Sequence, residues 1–332
     1  MRQAFKNEIF KSNNLKAEQV KIGVVIPCYN VQKKVLNVIA SIPAEVSYIY
    51  IIDDACPEKS GLFIEKYCND KRVKVSYNSK NLGVGGSVKC GYKLALANEC
   101  DIIVKLDGDG QMDGRLIPLL IKDLRDKRAD YVKGNRFYDL SDLKSMPKTR
   151  LIGNSCLSLV NKITSGYWDI MDPTNGFTAI NQKALSLLPL DKIDDRYFFE
   201  SDMLFRLSTI RAVVNDCPMK AFYNDENSGL EIRKVLFEFP FKYAKRFLKR
   251  IFYIYFLRDF NIASIELIVG SLLFFFGVIF GSYKWILSIN QNSPATSGTV
   301  MLAALPLILG FQLLISGLNF DLQNIPSKPI CR

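Results

Sequence analysis

Histidine is absent from all 332 residues of this chain. Its absence excludes imidazole acid–base catalysis and every zinc site built on histidine. Cysteine occurs eight times, but never as a Cys-x-x-Cys pair and in no short secreted framework, so reduced thiols in the cytosol are the expectation. The first 19 residues are polar and lack the apolar core of a signal peptide. Acidic charge is in deficit, with 33 Asp and Glu against 44 Lys and Arg and a net charge of +11. That excess calls for an anionic partner: nucleic acid, a phosphate-bearing substrate or an acidic membrane surface. Any catalysis has to come from carboxylates, a metal ion or basic groups. The length suits one large domain with an appendage, or two domains.

What is present centres on residues 105–113, Lys-Leu-Asp-Gly-Asp-Gly-Gln-Met-Asp. Asp107 and Asp109 follow the apolar run Ile102, Ile103, Val104, so they fall where a buried strand ends and a loop begins, the place where open α/β sheets bind ligands. Two carboxylates so spaced can share a divalent cation and the diphosphate it bridges, since Mg²⁺ is content with one or two Asp, substrate phosphates and water. A solvated Asp/Gly turn is the competing reading of the pair in isolation.

Upstream, residues 21–27 form a continuous apolar run expected as a strand buried on both faces. Residues 31–42 read as a helix, 48–54 as a second strand ending in Asp53 and Asp54, and 72–77 as a third. A Gly-rich turn at 81–87 opens a helix through Ala97. Strand and helix alternate four times, which predicts an α/β fold with a mostly parallel sheet and helices on both faces. The Gly-rich turn fits close packing at a helix start, or backbone amides approaching a diphosphate or ribose. Further on, Lys133-Gly-Asn-Arg136 ends a strand, Lys148, Arg150 and Asn154 open a helix, and residues 172–177 (Asp-Pro-Thr-Asn-Gly-Phe) turn into another strand. Glu200 and Asp202 sit at the start of an amphipathic helix, where capping explains them as well as catalysis does.

The composition changes after Ser228. Residues 230–260 interleave eight Lys and Arg with many aromatic and aliphatic residues, the pattern of basic helices lying in a membrane interface against anionic lipid, with a break expected at Pro240. A nucleic-acid surface is disfavoured by the two long apolar segments nearer the C-terminus. Residues 267–283 and 299–318 are uncharged and apolar, joined by a polar link at 290–297, and predict a helical hairpin across a membrane. Positive charge precedes the first span and follows the second, which places both ends in the cytoplasm. The expected organisation is a polar leader at 1–20, a cytoplasmic catalytic domain at 21–228 and juxtamembrane helices at 229–260. Two transmembrane helices at about 265–287 and 299–318 come next within 261–320, then a cytoplasmic tail at 321–332.

Five motifs in order carry a family resemblance: Val25-Ile-Pro-Cys-Tyr-Asn30, Asp53-Asp-Ala-Cys-Pro57, Asn81-Leu-Gly83 with Gly91, Asp107-Gly-Asp-Gly-Gln111, and Arg150 with residues 172–177. The chain resembles the family 2 glycosyltransferases of GT-A fold, and within them the polyprenyl-phosphate glycosyltransferases similar to dolichol-phosphate mannose synthase and its bacterial relatives. The resemblance covers about residues 21–225. It implies that Pro27, Tyr29, Asn30, Asp53, Asp54, Asn81 and Gly83 serve the nucleotide, that Asp107 meets ribose or diphosphate, and that Asp107, Asp109 and Gln111 hold Mg²⁺ or Mn²⁺. Val31 and Thr178 depart from the pattern, the first standing where an acidic residue is usual and the second where an Arg is common.

The implied reaction is displacement at an anomeric carbon with inversion, a nucleoside diphosphate leaving. Asp109, Arg150, Glu200 and Asp202 are the catalytic candidates. A polyprenyl phosphate acceptor is already ionised near pH 7 and needs cations to place it, which Lys133, Arg136 and Arg150 suit. A sugar hydroxyl of a lipid-linked or cell-surface glycan needs a base, which Glu200 or Asp202 suits. The membrane segments favour the lipid phosphate. A membrane-anchored nucleotide-binding module without turnover is the alternative of another class, and the oligomeric state, homo-oligomer included, is open.

Overall fold

The computed structural model describes residues 20–138, 148–219 and 232–331, without the side chains of 148–151 and 232–236. The polar leader and residues 220–231 therefore lie outside the described residues, as does the side chain of Arg150.

Among the described residues seven strands form one sheet: β1 (Ile22–Cys28), β2 (Tyr48–Asp53), β3 (Val73–Tyr77), β4 (Ile102–Lys105), β5 (Tyr131–Asn135), β6 (Thr178–Asn181) and β7 (Val214–Pro218), in the spatial order β3-β2-β1-β4-β6-β5-β7. β1 runs parallel to both β2 and β4, and β2 to β3. β6 is antiparallel to β4 and β5, while β5 and β7 are parallel. β1, β2 and most of β4 read as apolar runs because both faces are covered. Ile22, Val24 and Ile26 of β1 enter one core, beneath α1 (Gln32–Ser41). Val25 enters the other, with Val88 of α3 (Val84–Ala97). A shorter helix, α2 (Ser60–Tyr67), lies between these in the chain.

The second half adds α4 (Lys148–Ser165), α5 (Gln182–Leu187) and α6 (Phe199–Thr209). α7 (Ile232–Ile251) then continues through Pro240 without interruption and passes into a π-helical turn at Phe252–Arg258. The break expected at Pro240 does not occur. Proline removes one intrahelical hydrogen bond, but Phe239 and Tyr243, on either side of it, pack edge-on against Phe198 and hold the two turns in line.

α8 (Ile262–Asn290) and α9 (Ser297–Gln323) are long and apolar enough to cross a membrane. Their apolar side chains are largely exposed, whereas those of a soluble protein's core helix would be buried. The two helices pack on each other through Gly270, Gly277 and Gly310; the start of α8 is fastened to the π-helical turn and the end of α9 to both that turn and the α/β body. At the start of α8, Ser264 donates to the carbonyl of Tyr255. In the last turn of α9, buried Asp321 accepts from Arg250 at 2.7 and 3.1 Å, from Trp168 at 3.0 Å and from the Tyr255 hydroxyl. The chain then returns to the sheet, where the Ile330 amide meets the Asp130 carboxylate at 2.9 and 3.0 Å.

Candidate active site

From β1 the chain passes outward to β2 and β3 on one side and reaches β4 on the other. The strand order therefore reverses between β1 and β4, and their carboxyl ends flank a crevice of the kind that binds ligands in open α/β sheets. β1 leads there to half-buried Pro27, to Tyr29, whose ring is 47% exposed, and to Asn30, in the left-handed region at φ 57°. The Asn30 amide donates to Cys56 Sγ at 3.1 Å. At the end of β2, Asp53 and Asp54 are both buried and turned inward. Asp53 accepts from the amides of Cys56 at 2.8 Å and Gly61 at 2.6 Å. Asp54 accepts from the amides of Leu82 and Gly83, each at 2.8 Å, and from the Asn78 side chain. These carboxylates shape the loops around the crevice. Asp54 thereby takes up two amides of the Gly-rich turn. The glycines next to them serve close packing: a Cβ on Gly85 would lie 2.5 Å from the Asp194 carbonyl and 2.8 Å from Phe199. Asn81 is exposed at the same turn.

At the end of β4, the Lys105 side chain is 1% exposed, and its ammonium meets Asp107 at 2.8 Å and Glu200, from the first turn of α6, at 3.1 Å. Burial would drive off its proton, but Asp107 and Glu200 reverse that and hold Lys105 above the ordinary lysine range. Asp109 accepts from the Gln111 amide at 2.9 Å. Burial, and then the charge of Asp107, push the Asp109 carboxyl up. Two carboxylates pressed together in a half-buried loop are what a divalent cation relieves, so these residues fit a metal. Among the described residues no three Cys, Asp or Glu form a ready-made cage. Asp107 and Asp109 would hold the ion with substrate oxygens and water completing its shell.

On the far side of β4, Lys105 faces Thr178 of β6, and Thr178 faces Lys133 of β5. Residues paired in register stand on one face of the sheet, so the three side chains lie abreast. Lys133 is fully buried and donates to the Asn175 carbonyl. Burial pulls its pKa down to about 8, because Glu200 and Asp172 act on it only at a distance and the charges of Lys105 and Arg136 oppose them. Arg136 grips buried Asp172 with two hydrogen bonds, at 2.7 and 2.9 Å. Both bonds anchor the 172–177 turn, which passes so close that a side chain on Gly176 would collide with Asp107 and Lys105. Asp202 is turned away from this cluster. It is fully buried and bonded to Arg246 at 2.6 and 3.1 Å and to the Asp194 amide at 2.9 Å.

The sequence model of Glycosyl transferase family 2 matches residues 23–188, half of the chain and all of the crevice just described except Glu200. The chain belongs to glycosyl transferase family 2. Among similar proteins, a UDP-N-acetylglucosamine–dolichyl-phosphate N-acetylglucosaminyltransferase of Methanococcus voltae is 27% identical over 61% of this chain and 86% of its own length. An undecaprenyl-phosphate mannosyltransferase of Micrococcus luteus is 26% identical over 60% and 83%. Among solved structures, glucosyl-3-phosphoglycerate synthase from Mycobacterium tuberculosis, in complex with Mn²⁺, UDP-glucose and phosphoglyceric acid, superposes with a TM-score of 0.51 at 16% identity, over 69% of this chain and 79% of that one. That likeness shows a GT-A fold.

In this glycosyltransferase the crevice thus gathers Pro27, Tyr29, Asn30, Asp107, Asp109 and Gln111 at the ends of β1 and β4, with Glu200 joined to them through Lys105. Lys105 is the residue that sequence reasoning passed over. Its signal was a single lysine closing an otherwise apolar strand, directly before the two carboxylates.

Proposed function

We propose that this family 2 glycosyltransferase moves a sugar from a nucleotide sugar to a polyprenyl phosphate at the cytoplasmic face of a membrane, inverting the anomeric centre. The observation that carries this reading is the state of the two carboxylates available to deprotonate a hydroxyl acceptor. Glu200 is paired with buried Lys105 and Asp202 with Arg246. Each is committed to a cation, and Asp202 is turned away from the crevice, so neither is free to reach an acceptor hydroxyl. A phosphate acceptor is already ionised and asks for no base.

In this reading Pro27, Tyr29 and Asn30 receive the nucleoside, in a pocket whose walls are held by Asp53 and Asp54 and continue to Asn81 and Gly83. Asp107, Asp109 and Gln111 hold Mg²⁺ or Mn²⁺, which supplies Lewis-acid neutralisation of the leaving diphosphate. Lys133, Arg136 and Arg150 place the acceptor phosphate, Lys133 and Arg136 chiefly by fixing the 172–177 turn. α8 and α9 anchor the enzyme. Phe237, Phe241, Leu248 and Phe252 are exposed at helical spacing on α7 and the π-turn, with Lys245 and Lys249 beside them, a face suited to anionic lipid. The relatives that act on dolichyl and undecaprenyl phosphates support the choice of acceptor.

The test is to incubate membranes carrying the protein with labelled nucleotide sugars and undecaprenyl phosphate. Label in the lipid phase with at least one donor is expected, and it should survive Glu200→Gln at a tenth of the wild-type rate or better. No lipid label with any donor overturns the proposal. Label appearing instead on a saccharide acceptor, and lost in Glu200→Gln, favours the hydroxyl reading.

A further inference from the structure

Lys105 has no part in the fold that an apolar residue would not fill better. Its strand neighbours Ile102, Ile103 and Val104 are all buried hydrophobics. Burying an ammonium is costly unless it is paired, and this one is paired twice, with Asp107, close by in the chain, and with Glu200, 95 residues further on. The third side is closed by the backbone at Gly176, where any side chain would collide with both Lys105 and Asp107. Its ammonium is therefore fixed in place.

Without the lysine, Asp107 and Glu200 would converge on one point with no cation between them. The charges of Lys105, Asp107, Asp109 and Glu200 sum to two negatives, which one divalent ion balances. Remove the ammonium and the sum is three, with a vacant space lined by carboxylate oxygens. Lys133, the other buried lysine on this face, bonds to a carbonyl and offers no such balance.

We propose that Lys105 is a positioning residue that acts through Asp107. It stands as a built-in cation on the inner side of that carboxylate, limits the site to a single divalent ion on the outer side, and ties the orientation of Asp107 to that of Glu200. The inference rests on the reading of Asp107 and Asp109 as metal ligands.

The experiment is a titration of the purified, donor-free protein with Mn²⁺ alone, following free Mn²⁺ by electron paramagnetic resonance, with turnover measured in parallel. Wild type, Asp109→Asn, Lys105→Met and the charge-balanced double variant Lys105→Met with Glu200→Gln are compared. In Lys105→Met the Mn²⁺ dissociation constant should fall at least tenfold or a second equivalent should bind, while turnover falls at least a hundredfold. If the single variant does not fold, the double variant carries the test, because Asp107 loses its ammonium there too and its Mn²⁺ affinity should still rise severalfold. Wild-type affinity and stoichiometry in a folded variant would overturn the role of Lys105. Failure of the wild type to bind Mn²⁺, or indifference to Asp109→Asn, would instead overturn the metal reading beneath it.

Discussion

Arg246 donates two hydrogen bonds to Asp202, at 2.6 and 3.1 Å, and so fastens α7 to the helix whose first turn carries Glu200. The grip is reinforced next door, where the Tyr243 hydroxyl lies 2.8 Å from Ser201 Oγ and Lys242 reaches Asp194 at 2.7 Å. Asp202 is wholly buried, and the other cation near it, Arg206, stands off at 3.7 Å. Arg246→Met should therefore destabilise the protein by about 3 kcal/mol, the lower end for orphaning one partner of a buried ion pair. Adding Asp202→Asn should restore part of the loss, since the orphaned carboxylate is then gone while buried Arg206 gives up its neighbouring negative charge. Thermal unfolding in detergent measures both, and an unchanged midpoint in the single variant would refute the coupling.

Asp216 makes stability depend on pH. One of its oxygens accepts from the Asn135 side chain at 2.8 Å and the Met171 amide at 3.1 Å; the other is buried without a hydrogen-bond partner. Burial pushes the carboxyl from the ordinary 3.8 to about 6. Between those values the folded state keeps a proton that the unfolded chain releases, so its contribution is complete below about pH 4 and is lost as the pH rises through 6. Asp216→Asn should flatten the unfolding midpoint between pH 4 and 6. At pH 7.5 it should raise stability by about 1–2 kcal/mol, a pKa unit being worth ~1.4 kcal/mol and the new amide giving some back. The same slope in both proteins would exclude Asp216 as its source.

Elements whose evidence is local were legible in the sequence. β1, β2 and β4 announce themselves as apolar runs ending in polar residues, because a strand covered on both faces has no use for alternation. The Asp107 and Asp109 pair is read from its place after such a run. What depends on distant partners was not legible. Lys105 alone looks like a solvated strand end, and only the fold brings Glu200 to it. Nor does the sequence show that the amides of residues 56, 61, 82 and 83 converge on Asp53 and Asp54, since those partners lie further along the chain. Pro240 reads as a helix break because the aromatic contacts that carry α7 across it come from Phe198, far back in the chain.

The hairpin offers a test that involves no charge. A Cβ on Gly310 would lie 2.5 Å from the Phe274 nitrogen and 2.8 Å from the Gly270 carbonyl oxygen. Both are backbone atoms of α8, held in its own hydrogen-bonded ladder, and neither can swing aside as a side-chain tip would. Gly310→Ala must then part the two helices at their crossing, at a cost of about 1–3 kcal/mol in the range found for overpacking. Gly298, in the first turn of α9, has nothing within 4 Å of its Cβ position. Gly298→Ala should gain up to about 1 kcal/mol from helix propensity alone. The two substitutions add the same methyl to the same helix, so opposite shifts in the unfolding midpoint would isolate the effect of the crossing. Equal shifts would mean that α8 and α9 are not held together at Gly310.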